Sequence, residues 1–231
     1  MEPREYRKCI RKRIEADREL KRQLHSLIQY GSSVRGDFVE GVSDLDFFAV
    51  LYEEPDSSIP RLRNILEECT RTVDKTIVDL AWEYLKNLHD PLNKGYPFKF
   101  LTIYQRDFLD NHFVIYSEGI EGILPMYEWR SLIRWRAERL LANVERDRRN
   151  KKMLRIGAGE VIRLMALFNG ASSISKDETL KKIEEIGDKE ALRIFTDYLS
   201  GIDPKLPESY YIDFITERLR SILDQLLTAC R

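Results

Sequence analysis

Residues 31–51 read Gly31-Ser32-Ser33-Val34-Arg35-Gly36-Asp37-Phe38, a short spacer, then Ser43-Asp44-Leu45-Asp46-Phe47-Phe48-Ala49-Val50-Leu51. The first half is a turn of small residues, and its glycines let the backbone approach a ligand where a Cβ would forbid it. Backbone N–H groups presented by such a turn, entering a short helix over 33–38, make an anion cradle. Ser32 and Ser33 add hydroxyls, and Arg35 adds a positive charge. The second half reads as a strand. Successive strand side chains alternate between faces, so Asp44 and Asp46 project from the same one. Two adjacent carboxylates repel unless a cation lies between them, and an oxygen-only donor set favours a hard ion such as Mg²⁺. Together the two halves describe a site for a metal-bound polyphosphate.

Upstream, Ile10, Ile14, Leu20, Leu24 and Leu27 recur among charges and predict a helix over 4–27, with a short strand from Leu27 to Tyr30 entering the turn. Downstream, 59–70 reads as a helix, and 76–82 as a second strand. Phe98–Tyr104 and Phe113–Tyr116 read as further strands. From Pro125 onward only helices are legible. Trp129, Leu132, Ile133, Leu140, Leu141 and Val144 form a stripe. A helix over 152–168 is closed by Asn169-Gly170, and shorter helices break near Gly187 and Gly201 before a last one over 208–228. The expected class is α+β: a mixed-sheet domain over 1–124 with flanking helices, then an all-helical bundle over 125–231.

Composition fits a globular chain, with 231 residues, 43% hydrophobic and 33% charged. No apolar run reaches the ~18 residues of a membrane span. The charged N-terminus lacks the apolar core of a signal peptide, so a cytoplasmic location without membrane attachment is the expectation. Cys9, Cys69 and Cys230 are odd in number and far apart, which argues against a disulfide framework and against a zinc cluster. Charge is uneven: 37–60 holds seven acids and no base, whereas 130–163 holds eleven Arg or Lys against four acids. That pattern reads as two solvated faces, or as an acidic metal site opposite a basic wall that attracts polyphosphate.

A third carboxylate narrows the chemistry. Asp79 interrupts the apolar strand over 76–82, where an unpaired buried charge costs several kcal/mol, and it becomes useful there as a shared metal ligand. Pairing with a core Arg is the structural alternative, and Asp74 the competing acid.

Gly31-Ser32-Ser33-Val34-Arg35-Gly36, then Ser43-Asp44-Leu45-Asp46, with the later lone Asp79, resembles the DNA polymerase β-like nucleotidyltransferase superfamily. Its small prokaryotic branch has Gly-Ser-x-x-x-Gly before Ser-Asp-x-Asp. The two-domain layout is similar to kanamycin nucleotidyltransferase-like members, although the helical half matches only in kind. The resemblance implies that Asp44, Asp46 and Asp79 are the catalytic and metal-binding residues. Gly31, Ser32, Ser33, Arg35 and Ser43 are then the nucleotide-binding ones. It implies one or two Mg²⁺ ions, with Mn²⁺ as a substitute, and transfer of a nucleoside monophosphate, AMP from ATP, to a hydroxyl with release of pyrophosphate. A small-molecule acceptor, aminoglycoside-like, is the leading expectation. Protein or RNA 3′ ends are the alternative acceptors, nucleic acid being the weaker partner, and a homodimer is compatible. A non-catalytic nucleotide-binding or antitoxin-like protein is the rival class. With a single metal a carboxylate must act as general base: Asp79 first, then Glu145 or Glu160, which otherwise read as surface residues. No histidine follows His112, which disfavours the Arg-x4–6-His ribonuclease motif of some two-domain relatives.

Overall fold

The computed structural model describes residues 3–39, 43–53, 57–71, 77–92, 98–203 and 205–229. Asp74, Thr76 and Cys230 lie outside them. The chain divides into two compact units, 1–126 and 127–231.

The first unit is built on a mixed four-stranded sheet in the order β3-β2-β1-β4. β1 is Leu24–Tyr30, β2 Leu45–Leu51, β3 Val78–Tyr84 and β4 Phe113–Ser117. β1 is antiparallel to both β2 and β4, while β2 and β3 run parallel. The helix expected over 4–27 is instead two helices and the start of β1. α1 (Pro3–Ala16) ends before Asp17, whose carboxylate accepts the Glu19 and Leu20 N–H groups and so starts α2 (Arg18–Gln23). Leu24 and Leu27 satisfy helical spacing, yet they lie on β1 beside β2, because pairing with Leu51 and Ala49 decides the local structure.

Alternation along the strands gives the sheet two apolar faces. Leu27, Phe47, Ala49, Leu51 and Leu80 pack against α1 and against α4 (Ser58–Thr70), with Tyr6, Ile10, Ile14, Leu62 and Leu66 between them. Ile28, Phe48 and Val50 face the other way, under Phe98, Phe100, Leu101 and Phe108. The strand expected over 98–104 is absent. A single 3₁₀ turn (Lys99–Leu101) leads into α5 (Gln105–Asp110), and the Thr102 hydroxyl donates to the Phe98 carbonyl. The aromatic run that reads as β-forming covers Phe48 instead, with ring centroids 5.7 Å (Phe98) and 5.0 Å (Phe100) away.

The cysteine expectation also fails at one point. Cys9 of α1 and Cys69 of α4 form a disulfide with Cα atoms 5.8 Å apart, tying the two helices behind the sheet. The partners are 60 residues apart, a distance across which spacing carries no information. A cross-link closing a loop of that length restricts the unfolded chain by about 4 kcal/mol. Reduction should therefore lower the stability of the first unit by roughly 3–4 kcal/mol in urea unfolding. The Cys9→Ser variant should show the same loss and no further response to reductant.

The second unit contains α6 (Trp129–Asp147), α7 (Lys151–Phe168), α8 (Lys176–Ile186), α9 (Lys189–Leu199) and α10 (Glu208–Ala229). Side chains of Glu128, Asn150, Ser175 and Asp188 accept N–H groups at the starts of α6 to α9, and Gly187 ends α8 at φ 77°. Leu132, Leu140, Leu154, Val161, Ile162, Phe214, Ile215 and Leu219 fill the core. Among the described residues no helix is long and apolar enough to cross a membrane.

Candidate active site

The carboxylates gather at one end of the sheet. Asp46 stands opposite Tyr30 across the β1–β2 pair and beside Asp79 across the parallel β2–β3 pair, so the three side chains share a face. Asp44 lies ahead of β2 and is exposed. Asp79 is exposed as well, contrary to the buried position expected for it: β3 is an edge strand, so its outer half meets solvent. Asp46 is the inner member. Burial, together with the charges of Asp79 and Asp44, pushes its carboxyl up to about 7 from the ordinary 3.8, against the opposing pull of Lys99 and Arg35. Tyr30 is held far above its usual range by burial, Asp46 and Asp79, so it stays a neutral phenol.

The Gly-Ser turn abuts Asp46 directly. Gly31 has φ 76°, and a Cβ there would lie 2.2 Å from Asp46 Oδ2. Glycine is thus required twice, by backbone conformation and by space. The helix that follows is shorter than the expected 33–38: α3 covers Ser32–Arg35 and ends at Gly36 with φ 93°. Ser32 is nearly buried at its start. Three candidate nucleotide-binding side chains have local protein partners. The Ser33 Oγ accepts from Gln29 Nε2 at 2.8 Å, and the Ser43 Oγ accepts the Val39 N–H at 3.0 Å. The Arg35 guanidinium is held by Asp37 at 3.1 Å and by Asp107 of α5 at 2.6 Å. Arg35 therefore braces α3 against α5 and biases Asp46 through its charge.

Sequence reasoning passed over Tyr30, Lys99, Gln29 and Asp107. Tyr30 precedes Gly31 and could have been suspected from that position. Lys99 hides in an aromatic run, and Asp107 becomes relevant only through the chain's return to Arg35.

The donor set suits a hard cation: carboxylates only, mutually repelling, with Asp46 reluctant to ionise until positive charge arrives. Among the described residues no three His, Cys, Asp or Glu side chains are drawn together as a closed ligand shell. The aspartates are neighbours in register, not a preformed cage.

The alternative bases separate clearly. Glu145 is exposed and pairs with Arg148. Glu160 is not at the surface. It lies 6% exposed in α7 and accepts from Arg136 Nε of α6 at 2.7 Å, with Nη2 on the same oxygen. This pair is structural. Glu160→Ala should destabilise the helical unit by about 3–5 kcal/mol by stranding Arg136, while Arg136→Met with Glu160→Leu should recover most of the loss in thermal unfolding. The arginines of the basic stretch are engaged locally too: Arg134 with Glu138, Arg146 with Asp147, and Arg155 with the Ile202 carbonyl. Arg130 and Arg139 lie over the Trp129 and Trp135 rings. Tyr211 is core, and the Tyr210 hydroxyl donates to Glu190.

Residues 10–101 match the nucleotidyltransferase-domain family model. None of the curated proteins matches the chain. Among solved structures, the fold is similar to a spectinomycin adenyltransferase from Enterococcus faecialis crystallised with ATP and spectinomycin. The TM-score is 0.61 at 17% identity, over 93% of this chain and 98% of that one. Carboxylates and glycine turn alike fall inside the matched segment. Residues 10–101 are therefore a nucleotidyltransferase domain, and the fold of the chain is similar to that of an adenyltransferase.

Proposed function

We propose that the protein transfers AMP from Mg²⁺-bound ATP to a hydroxyl of a small molecule, releasing pyrophosphate. The observation that carries this reading is the abutment of the Gly31 turn on Asp46, with Asp79 adjacent in register. On this reading a phosphate cradle lies directly against the ligands of a hard cation. Asp44, Asp46 and Asp79 are the residues that would hold Mg²⁺. When bound, the ion supplies charge neutralisation for the triphosphate and activation of the acceptor oxygen. The Gly31–Ser32 backbone and the Ser32 hydroxyl hold phosphate oxygens, and Tyr30 keeps a neutral hydroxyl beside them. Asp79, open to solvent, meets the acceptor and takes its hydroxyl proton. The freed oxygen bonds the α-phosphorus as the bridge to the β-phosphate breaks, and pyrophosphate departs. Positioning and fixed charge supply most of the rate.

The small-molecule class is supported by the fold shared with an adenyltransferase solved with such a ligand. α-labelled ATP and Mg²⁺ incubated with aminocyclitols, with a protein mixture and with RNA should label only the small hydroxyl compounds. Label confined to protein or to RNA 3′ ends would reassign the acceptor. Binding of ATP without turnover against any pool would make the chain a nucleotide-binding module.

A further inference from the structure

Gln29 is a fully buried amide in β1, one residue before Tyr30, on the sheet face opposite the carboxylates. A glutamine side chain carries two donor hydrogens and one acceptor oxygen, and isolating them from water without partners is unfavourable. Here all are used, and their partners lie on two different elements. Oε1 accepts from Arg7 Nε of α1 at 2.7 Å. Nε2 donates to the Tyr6 hydroxyl of α1 at 2.6 Å and to Ser33 Oγ of α3 at 2.8 Å. Neither α1 partner is loose. Tyr6 is 2% exposed in the core, and the Arg7 guanidinium sits 4.1 Å over the Phe113 ring of β4.

The other end of the strut is the phosphate turn. Ser33 donates onward to the Tyr30 carbonyl at 3.3 Å, and the turn closes through the Val34 and Arg35 N–H groups on the Gly31 carbonyl at 3.1 and 3.0 Å. With Gly31 set so tightly against Asp46, a small shift of the turn changes the spacing between phosphate cradle and carboxylates. We infer that Gln29 is a positioning residue for nucleotide binding: it ties the Gly31–Gly36 turn to α1 through Ser33 and so fixes the turn's distance from Asp46. This rests on the proposed reading that the turn receives the nucleotide phosphates. Gln29 itself touches no substrate and acts through Ser33.

The test is the affinity for Mg²⁺·ATP, by isothermal titration calorimetry below the melting temperature of each variant, with melting curves of the ligand-free proteins alongside. Gln29→Leu keeps the volume and removes every polar bond, and should weaken binding about tenfold. Gln29→Glu keeps acceptors for Arg7, Tyr6 and Ser33, whose hydroxyl protons can rotate, and should bind within about threefold of wild type. Tyr6→Phe removes one bond at the α1 end, away from the nucleotide, and should weaken binding roughly threefold. It keeps the test alive if Gln29→Leu fails to fold. Melting shifts with unchanged affinity in Gln29→Leu and Tyr6→Phe would overturn the inference, as would an equal loss in Gln29→Glu. A wild-type protein that binds no Mg²⁺·ATP would overturn the proposed function as well, which separates the two failures.

Discussion

Asp46→Asn is expected to lower nucleotidyl transfer by a factor on the order of a thousand or more, and at the same time to make the ligand-free protein more stable at pH 8. The loss follows from removing the innermost carboxylate of the site. The gain follows from electrostatics that only function explains. With its carboxyl pushed up to about 7 from the ordinary 3.8, Asp46 makes the fold less favourable whenever it is ionised. At about 1.4 kcal/mol per pH unit, the full penalty approaches about 4 kcal/mol. Below pH 3.8 folded and unfolded chains both keep this proton, and the penalty is absent. Between 3.8 and 7 the unfolded chain releases it while the fold retains it, so stability falls as pH rises, and above 7 the loss is complete. Asparagine has the same shape and no proton to lose, so that slope disappears. Urea unfolding at pH 5 and pH 8 should show wild type losing stability with pH and Asp46→Asn losing far less. Mg²⁺ should restore wild type at pH 8 by occupying the repelling carboxylates, and should leave the variant nearly unmoved.

Gly31→Ala is the second large effect. The added methyl would sit 2.2 Å from Asp46 Oδ2, in a backbone conformation with φ 76° and ψ −157° that is essentially open to glycine alone and costs another residue roughly 1–3 kcal/mol by itself. Either the turn or the carboxylate must move. Transfer should fall by roughly a hundredfold or more, with weaker Mg²⁺·ATP binding. Gly36→Ala provides the contrast. Gly36 has φ 93°, yet nothing lies within 4 Å of its Cβ position. Only conformational strain is introduced there, and a modest melting shift with nucleotide affinity within about threefold of wild type should result. Equal kinetic losses at both glycines would mean that turn strain, not proximity to Asp46, governs the site.

Where the sequence was readable, one local rule sufficed. β2 is a continuous apolar run of β-forming residues, and the face of Asp46 follows from its period of two, whereas Asp44 lies just ahead of the strand. In the second unit the break near Gly187 is legible, and that glycine ends α8. Where two periodicities fit the same residues, tertiary pairing decided. Leu20, Leu24 and Leu27 suit a helix equally well until β2 is present to pair with the last two. The Phe98–Tyr104 run has strand composition because it is a lid of aromatic rings over Phe48. Asp79 was expected inside, because apolar neighbours suggested burial, but an edge strand exposes what a central strand would cover. Glu160, Cys9–Cys69 and Gln29 were beyond reach for a common reason. Each takes its meaning from a partner 22 or more residues away.

On the proposed function, the carboxylates at one end of the sheet and the Gly31 turn serve transfer of the nucleoside monophosphate, by way of its α-phosphorus. ATP labelled separately at the α- and γ-phosphorus, incubated with Mg²⁺, an aminocyclitol pool and either wild type or Asp46→Asn, tests it directly. α-Label on the acceptor and γ-label in pyrophosphate are expected with wild type, and neither with the variant. Transfer of γ-label to the acceptor, or α-label transfer that survives in Asp46→Asn, would contradict it.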